Sequence, residues 1–283
     1  MATADNERPI TRTKPLYQYE ESLRKHLTKV TTAQPWAALS EAEKALFKAG
    51  EEGTYSLETH ETIFYAQGGG QPFDTGYMSS TTVGEKETKF IVEAVRNSAK
   101  GRVLHFGHIQ GGDSAAFKED AMVEQHVDGA RRDLNSRVHT AGHCIGLAVR
   151  RLAGQTPDLQ ATELKAQHYP DASFVEFKGI IDSKHRDAIQ SQATQYIKDA
   201  LPVRLTWYRA EELAENGVIT AEGMPIVAGL NGKVRVVDIV GAGAYPCGGT
   251  HVPSCDHVGD IVVKGIKRSK GISKVSYAIK DKS

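Results

Sequence analysis

From Thr54 to Val127 the apolar positions fall in short runs of β-favouring residues, TYSLET, TIFYA, TKFIVEAV, RVLHFGHI and AMVEQHV, separated by turn residues that include GGGQP and QGGD. This texture predicts a small β-barrel or curled sheet. Ahead of it, residues 16–30 fit neither the helical nor the strand period. In LSEAEKALFKAGEEG, Ser40 and Glu43 stand at capping-box spacing, Ala42, Ala45, Leu46 and Ala49 recur at helical intervals, and Gly50 supplies a stop, so one short helix is expected.

The period changes in DGARRDLNSRVHTAGHCIGLAVRRLAG, where Val138, Ile145, Ala148 or Val149, and Leu152 form one apolar stripe and Gly154 closes it. A second helix is expected near 183–200, with Ile189, Ala193, Ile197 and Ala200 on one face. Strands are expected at 162–167, 173–178, 203–208, 233–240, 258–267 and 272–280. Many strands with few, long helices predict an α+β layer with an antiparallel sheet. A length of 283 residues suits two domains. They are expected at 1–128, a β-barrel-like domain with the glycine-rich loop, and at 129–283.

Lys plus Arg and Asp plus Glu both total 35, so a polyanionic partner must be met by a local patch rather than by a global field. The N-terminal MATADNERPI lacks the apolar core of a signal peptide, and no run approaches the ~20 apolar residues that cross a bilayer. A cytoplasmic protein without a membrane partner is expected. Three cysteines cannot all pair within one chain, and they read as thiols.

Two pairs of residues carry candidate chemistry. In HTAGH, His139 and His143 stand four apart on a predicted helix, so their imidazoles emerge on one face about one turn apart. Cys247 and His251 are also four apart, at a Pro-Cys-Gly-Gly turn whose glycines permit a tight bend. Three imidazoles and a thiolate suit tetrahedral zinc and disfavour magnesium or calcium. A compact alternative uses Cys247, His251, Cys255 and His257 and leaves the helical histidines unexplained. Thr140 stands where the general-base Glu of a zinc-protease motif belongs, which excludes that class. Gly68, Gly69, Gly70 and Gln71 form either a phosphate-cradling nest or a barrel turn, and no Gly-Lys-Ser/Thr follows to make a P-loop. Arg131, Arg132 and Arg137 at the helix start oppose its macrodipole and favour a phosphate role. From Val258 to Ser283 seven Lys or Arg face two Asp, a run that reads equally as a solvated strand surface.

The pieces TIFYAQGGGQPFDTG, LNSRVHTAGHCIGLAV and PCGGTHV, in this order, resemble the AlaX family of alanyl-tRNA editing proteins, relatives of the editing domain of alanyl-tRNA synthetase. The resemblance runs from about Leu16 to Tyr277 and is similar to the medium-length members. It implies a β-barrel-like domain followed by a zinc-bearing α+β editing domain. It also implies zinc held by His139, His143, Cys247 and His251, and hydrolysis of the ester that joins serine, or secondly glycine, to alanine tRNA. Where the family often has a Gly-Ser pair after the zinc helix, this chain reads QATELKAQHYP, and Thr162 is the nearest match. Thr140 and Thr162 are the expected contacts to the serine hydroxyl. The backbone N–H groups of Gly248 and Gly249 are the expected oxyanion donors. Glu176 and Asp238 stand as either a general base or strand-surface charges.

Overall fold

The computed structural model describes residues 12–80, 87–220 and 226–280; MATADNERPI, on which the expectation about a signal peptide falls, lies outside the described residues. The chain divides into two compact units, one of residues 1–67 and 73–129, the other of 68–72 and 130–283. The fold is α+β, with a six-stranded N-terminal barrel and antiparallel sheets with helices after it. Among the described residues no helix is long and apolar enough to cross a membrane.

In the first unit the elements are β1 (Lys14–Pro15), β2 (Lys25–Pro35), α1 (Glu41–Lys44), β3 (Tyr55–Thr59), β4 (Glu61–Thr62), β5 (Gly76–Ser80), β6 (Lys89–Asn97), β7 (Val103–Gln110) and β8 (Met122–Val127). Strands β2, β3, β7, β6, β5 and β8 close a barrel in that order, and β1 pairs with β4 in parallel. Val30, Leu57, Met78, Phe90, Val92 and Phe117 fill it. Residues 16–30, ambiguous in sequence, form a 3-10 turn (Leu16–Gln18) and the start of the long strand β2. The capping box of α1 forms as expected, with the Glu43 N–H donating to Ser40 Oγ at 3.3 Å and the Ser40 N–H to Glu43 Oε2 at 3.1 Å. The helix is shorter than its pattern, because the chain tightens into three-residue turns from Leu46 to Gly50.

The run TIFYA is a strand only at Thr62. Ile63, Phe64, Tyr65 and Ala66 are all buried, which a half-buried alternating strand does not allow. Their donors go to side chains: the Ile63 N–H to Gln125 Oε1 at 2.9 Å, the Phe64 N–H to Thr62 Oγ1 at 3.1 Å and the Tyr65 N–H to Asp74 Oδ2 at 2.7 Å.

The second unit holds α2 (Gly129–Ala153), β9 (Gln160–Gln167), β10 (Phe174–Ile180), α3 (Arg186–Lys198), β11 (Val203–Tyr208), β12 (Val234–Ile239), β13 (Gly243–Pro246), β14 (Asp260–Ser269) and β15 (Ile272–Lys280). One antiparallel sheet has the order β14-β15-β10-β9, the other β11-β12-β13. The apolar stripe of α2 is buried at Val138, Ile145, Ala148 and Val149 against Val175, Phe177, Val263, Val275 and Tyr277. α3 is tied to β14 through Gln190, which donates to the Ile261 carbonyl and accepts the Val263 N–H, both at 2.7 Å. β13, which the sequence pattern does not announce, returns from β12 and delivers the chain to Cys247.

The glycine-rich stretch differs from its expected place. Residues 68–72 pack with the second unit, where the His168 N–H donates to the Gly70 carbonyl at 2.8 Å. A Cβ at Gly70 would lie 2.4 Å from the Ala166 carbonyl oxygen, and its φ of +78° is one that L residues rarely adopt.

Candidate metal centre

His139 and His143 project from α2, one helical turn apart, and Cys247 and His251 come from the turn after β13. One ligand atom from each of the four lies within 4.8 Å of every other. Cys247 Sγ is 3.4 Å from His139 Nε2 and 3.4 Å from His251 Nε2. A tetrahedral ion with metal–nitrogen and metal–sulfur bonds of zinc length needs a nitrogen-to-sulfur edge of about 3.5 Å, which these two contacts match. His139 and His251 are buried, and His143 and Cys247 remain partly open.

The turn is held from below. Arg235 on β12 donates to the carbonyls of Cys247 at 2.6 Å and Gly249 at 2.9 Å, and the Cys247 N–H donates to the Arg235 carbonyl at 3.0 Å. Gly249 must lack a side chain, since a Cβ there would sit 2.2 Å from His139 Cε1.

Proton counting fixes two of the ligands. Gln71 Oε1 accepts the Thr250 N–H at 2.9 Å, which sets the amide orientation, so its 2.7 Å contact with His139 must be a bond donated by Nδ1–H. The Thr140 hydroxyl donates to the Ser136 carbonyl at 2.9 Å, so its 3.0 Å contact with His251 is likewise donated by Nδ1–H. Each ring therefore turns an Nε2 lone pair toward the thiol, the tautomer a metal requires. His143 Nδ1 is buried without a partner among the described residues.

A fourth imidazole lies against this group. Tyr277 donates to the Val138 carbonyl at 3.0 Å, so His168 Nδ1–H must donate the 2.7 Å bond to its hydroxyl oxygen. The His168 ring stacks on His139 with centroids 4.2 Å apart. Burial keeps all four imidazoles neutral. It depresses His143 and His168 to about 3 and holds His139 and His251 well below the ordinary histidine value, with neighbouring imidazoles or Arg235 adding to the effect. Neutral imidazoles leave protons as weak competitors for a cation. Glu163, facing Gly146 of α2, is raised to about 7 by burial, which the bond donated by the Tyr245 hydroxyl at 2.9 Å only partly offsets. The Tyr245 ring stands edge-on to His143 at 5.0 Å.

The other expected site residues have varied placements. Gln71 is fully buried beside His139, bound to Thr250 at both ends of its amide, so the part of the glycine loop that meets the cluster is a side chain. Gly68 and Gln71 close a tight turn, with Gly69 and Gly70 at positive φ. Thr140 is fully buried, with its proton committed to Ser136. Thr162 is exposed on the outer side of β9, opposite Lys178 and on the reverse face from Glu163. The Gly249 N–H is directed at Cys247 Sγ at 3.4 Å. Arg132 is fully buried, Arg131 is half-buried, and Arg137 donates to the Val258 carbonyl at 2.9 Å, which ties α2 to the start of the last hairpin. Glu176 pairs with Lys165 at 3.4 Å on the outer face, and Asp238 lies in β12 across from Arg204. The compact alternative is not assembled: Cys255 is buried against Cys144, with sulfurs 3.8 Å apart, and His257 is exposed beside Asp256.

Sequence reasoning did not single out Glu163, His168, Tyr277 or Arg235. The three that flank the cluster from β9 and β15 lie far from both ligand pairs along the chain, and only Arg235 sits within a dozen residues of Cys247.

Residues 234–276 match the threonyl and alanyl tRNA synthetase second additional domain. The chain is 28% identical over 232 residues to the alanine–tRNA ligase of Thermotoga maritima, covering 80% of this chain and 25% of the ligase. It is 31% identical over 249 residues to the alanine–tRNA ligase of Methanopyrus kandleri, covering 85% of this chain and 26% of that protein. With the alanyl-tRNA editing protein AlaX-L of Pyrococcus horikoshii it shares 28% over 228 residues, covering 80% of this chain and 52% of that protein. The chain thus spans about a quarter of the ligases and about half of AlaX-L.

Proposed function

On its homology with alanine–tRNA ligases and the editing protein AlaX-L, we propose that this protein is a zinc-dependent trans-editing hydrolase that deacylates alanine tRNA mischarged with serine and, secondly, glycine. The observation that carries this reading is the convergence of His139, His143, Cys247 and His251, with ligand atoms within 4.8 Å across more than a hundred positions of sequence.

Zinc on three imidazoles and a thiolate would order the pocket and help to position the 3′-terminal adenosine and aminoacyl group. The chain's own residues prepare the place. Gln71 and Thr140 orient His139 and His251. Arg235 and Gly249 shape the turn, and the Gly248 N–H is the proposed donor to the developing oxyanion when water attacks the ester. The N–H of Gly249, turned to the Cys247 sulfur, supports the thiolate instead.

The task has a physical basis. A pocket built for alanine excludes serine by only on the order of 10²-fold, because an added hydroxyl is weakly rejected. A second site that hydrogen-bonds the hydroxyl spares alanine by roughly 10⁴-fold, since alanine would leave buried polar groups unpaired.

The test is loss of the ester from Ser-, Gly- and Ala-charged alanine tRNA with the purified, zinc-loaded protein. Seryl ester should be lost fastest and alanyl ester should persist. Decay of all three at the rate without protein would instead favour a zinc-stabilised RNA-binding module, a reading that rests on four protein donors filling a tetrahedral shell.

A further inference from the structure

We propose that the outer face of the sheet β14-β15-β10-β9 is a docking surface for the phosphodiester backbone of RNA. Glu176 on β10 stands opposite Lys165 on β9 and Lys274 on β15, and Lys274 stands opposite Lys267 on β14. Directly paired residues share a face, so one row across the whole sheet carries three lysines around a single carboxylate. At ordinary strand spacing this row spans about 14 Å. Glu176 is engaged with Lys165 at 3.4 Å, while Lys274 and Lys267 oppose each other as like charges. Such a pair costs the fold stability, and a polyanion lying across it removes that cost.

Phe174 lies on the same side, two residues from Glu176, with Lys274 Nζ 3.4 Å from its ring centroid. The ammonium lies over this half-buried ring, a cation–π contact that holds the Lys274 charge on the face where a phosphate can meet it. The surface lacks the apolar centre of a protein interface, since its large exposed apolar side chains, Ile180 and Ile272, lie toward one end of the sheet. The chain as a whole carries no net charge, so the attraction belongs to this face and orients the partner.

The face adjoins the metal centre through one strand. β9 is the sheet's edge; it turns Lys165 outward and Glu163 inward, and it ends beside His168, which is bonded to Gly70 and stacked on His139. An RNA whose 3′ end reaches the cluster can cross β9 and lie on the lysine row. That the RNA is a tRNA rests on the proposed function; the surface itself does not.

The experiment measures binding of uncharged alanine tRNA by fluorescence anisotropy from 50 to 300 mM salt, on the order of the range where phosphate binding dominates. The variant K165E/K267E/K274E should bind about tenfold or more weakly, and the slope of log affinity against log salt should fall by about 1 for each phosphate that a lysine no longer neutralises. A charge-matched variant at exposed sites elsewhere, K48E/K198E/K233E, should bind as the parent does. The milder K165Q/K267Q/K274Q, which adds no new charge, should shift in the same direction and guards against misfolding of the first variant. Parent-like binding by both lysine-row variants, an equal loss in the charge-matched variant, or a parent that binds no RNA and instead an acidic protein overturns the proposal. A parent that binds RNA through this row and hydrolyses nothing overturns the proposed function and leaves the surface standing.

Discussion

The Gln71 amide oxygen accepts a 2.7 Å hydrogen bond from His139 Nδ1, joining a glycine-rich turn to the helix that carries His139 and His143, 68 residues away. The bond chooses the tautomer of His139 and presents Nε2 to the cluster. Removing the acceptor in Gln71→Leu leaves the imidazole free to rotate and leaves the Thr250 N–H without its partner. Zinc affinity, measured by competition with a chromogenic chelator, should fall by about 10- to 100-fold, while Gln71→Glu should retain most of it because a carboxylate accepts the same bond. Equal affinity in parent and Gln71→Leu would refute the orienting role.

Gly249→Ala should damage the same site from the opposite side. Its Cβ would lie 2.2 Å from His139 Cε1 and 2.7 Å from Gln71 Oε1, so the ring, the amide or the turn must shift. Because Gly249 is not among the positive-φ glycines, the effect is steric rather than a backbone strain. Elemental analysis should show reduced zinc in this variant and thermal melting should fall by several degrees, with Gly217→Ala, where a Cβ meets nothing but φ is +67°, showing the milder cost of backbone conformation alone.

Two buried groups give stability opposite dependences on pH. His105 is fully buried, with Nδ1–H donating to the Leu57 carbonyl at 2.8 Å and Thr62 at 2.8 Å from Nε2. Burial lowers its pKa from 6.5 to about 4, against the Leu57 bond that raises it. The unfolded chain therefore takes up a proton that the barrel refuses. The stabilisation is intact above pH 6.5 and is lost as pH falls through 4, a loss of about 3 kcal/mol. Glu163 runs the other way: its pKa rises from 4.5 to about 7, so its contribution is present below pH 4.5 and is lost as pH climbs through 7. Urea unfolding from pH 4 to 8 should show a shallower acid limb in His105→Gln than in the parent. In Glu163→Gln the stability relative to the parent should grow from pH 5 to pH 8; a constant difference would remove Glu163 as the source.

The ligand pairs were legible because each is local: a four-residue spacing on a helix or turn puts two donors on one side whatever the rest of the chain does. Their supports were not, because His168, Tyr277 and Glu163 belong to other elements and act only after the fold gathers them. Gln71 had the clearest signal, an amide inside a glycine run with no lysine or hydroxyl residue to complete a P-loop. The other β-favouring runs of the first unit became barrel strands, yet TIFYA did not, because side chains of Gln125, Thr62 and Asp74 replaced the ladder. Likewise the basic run of the last hairpin was visible in sequence, whereas Lys165 joins Lys267 and Lys274 only through the register of four strands.

The third cysteine separates the observed cluster from a compact one. Cys255 is fully buried, its sulfur 3.8 Å from that of Cys144, and the contact together with burial pushes the Cys144 thiol well above its ordinary pKa. Both sulfurs thus behave as packing atoms. Cys255→Ala should cost about 1 to 2 kcal/mol from the small cavity it opens, read as a lower urea midpoint. Its zinc content should equal that of the parent, whereas Cys247→Ala and His143→Ala should each lose zinc and, with it, deacylation. Loss of zinc from Cys255→Ala with a normal melting curve would move the metal to the 247–257 segment alone and leave the helical histidines without a ligand role.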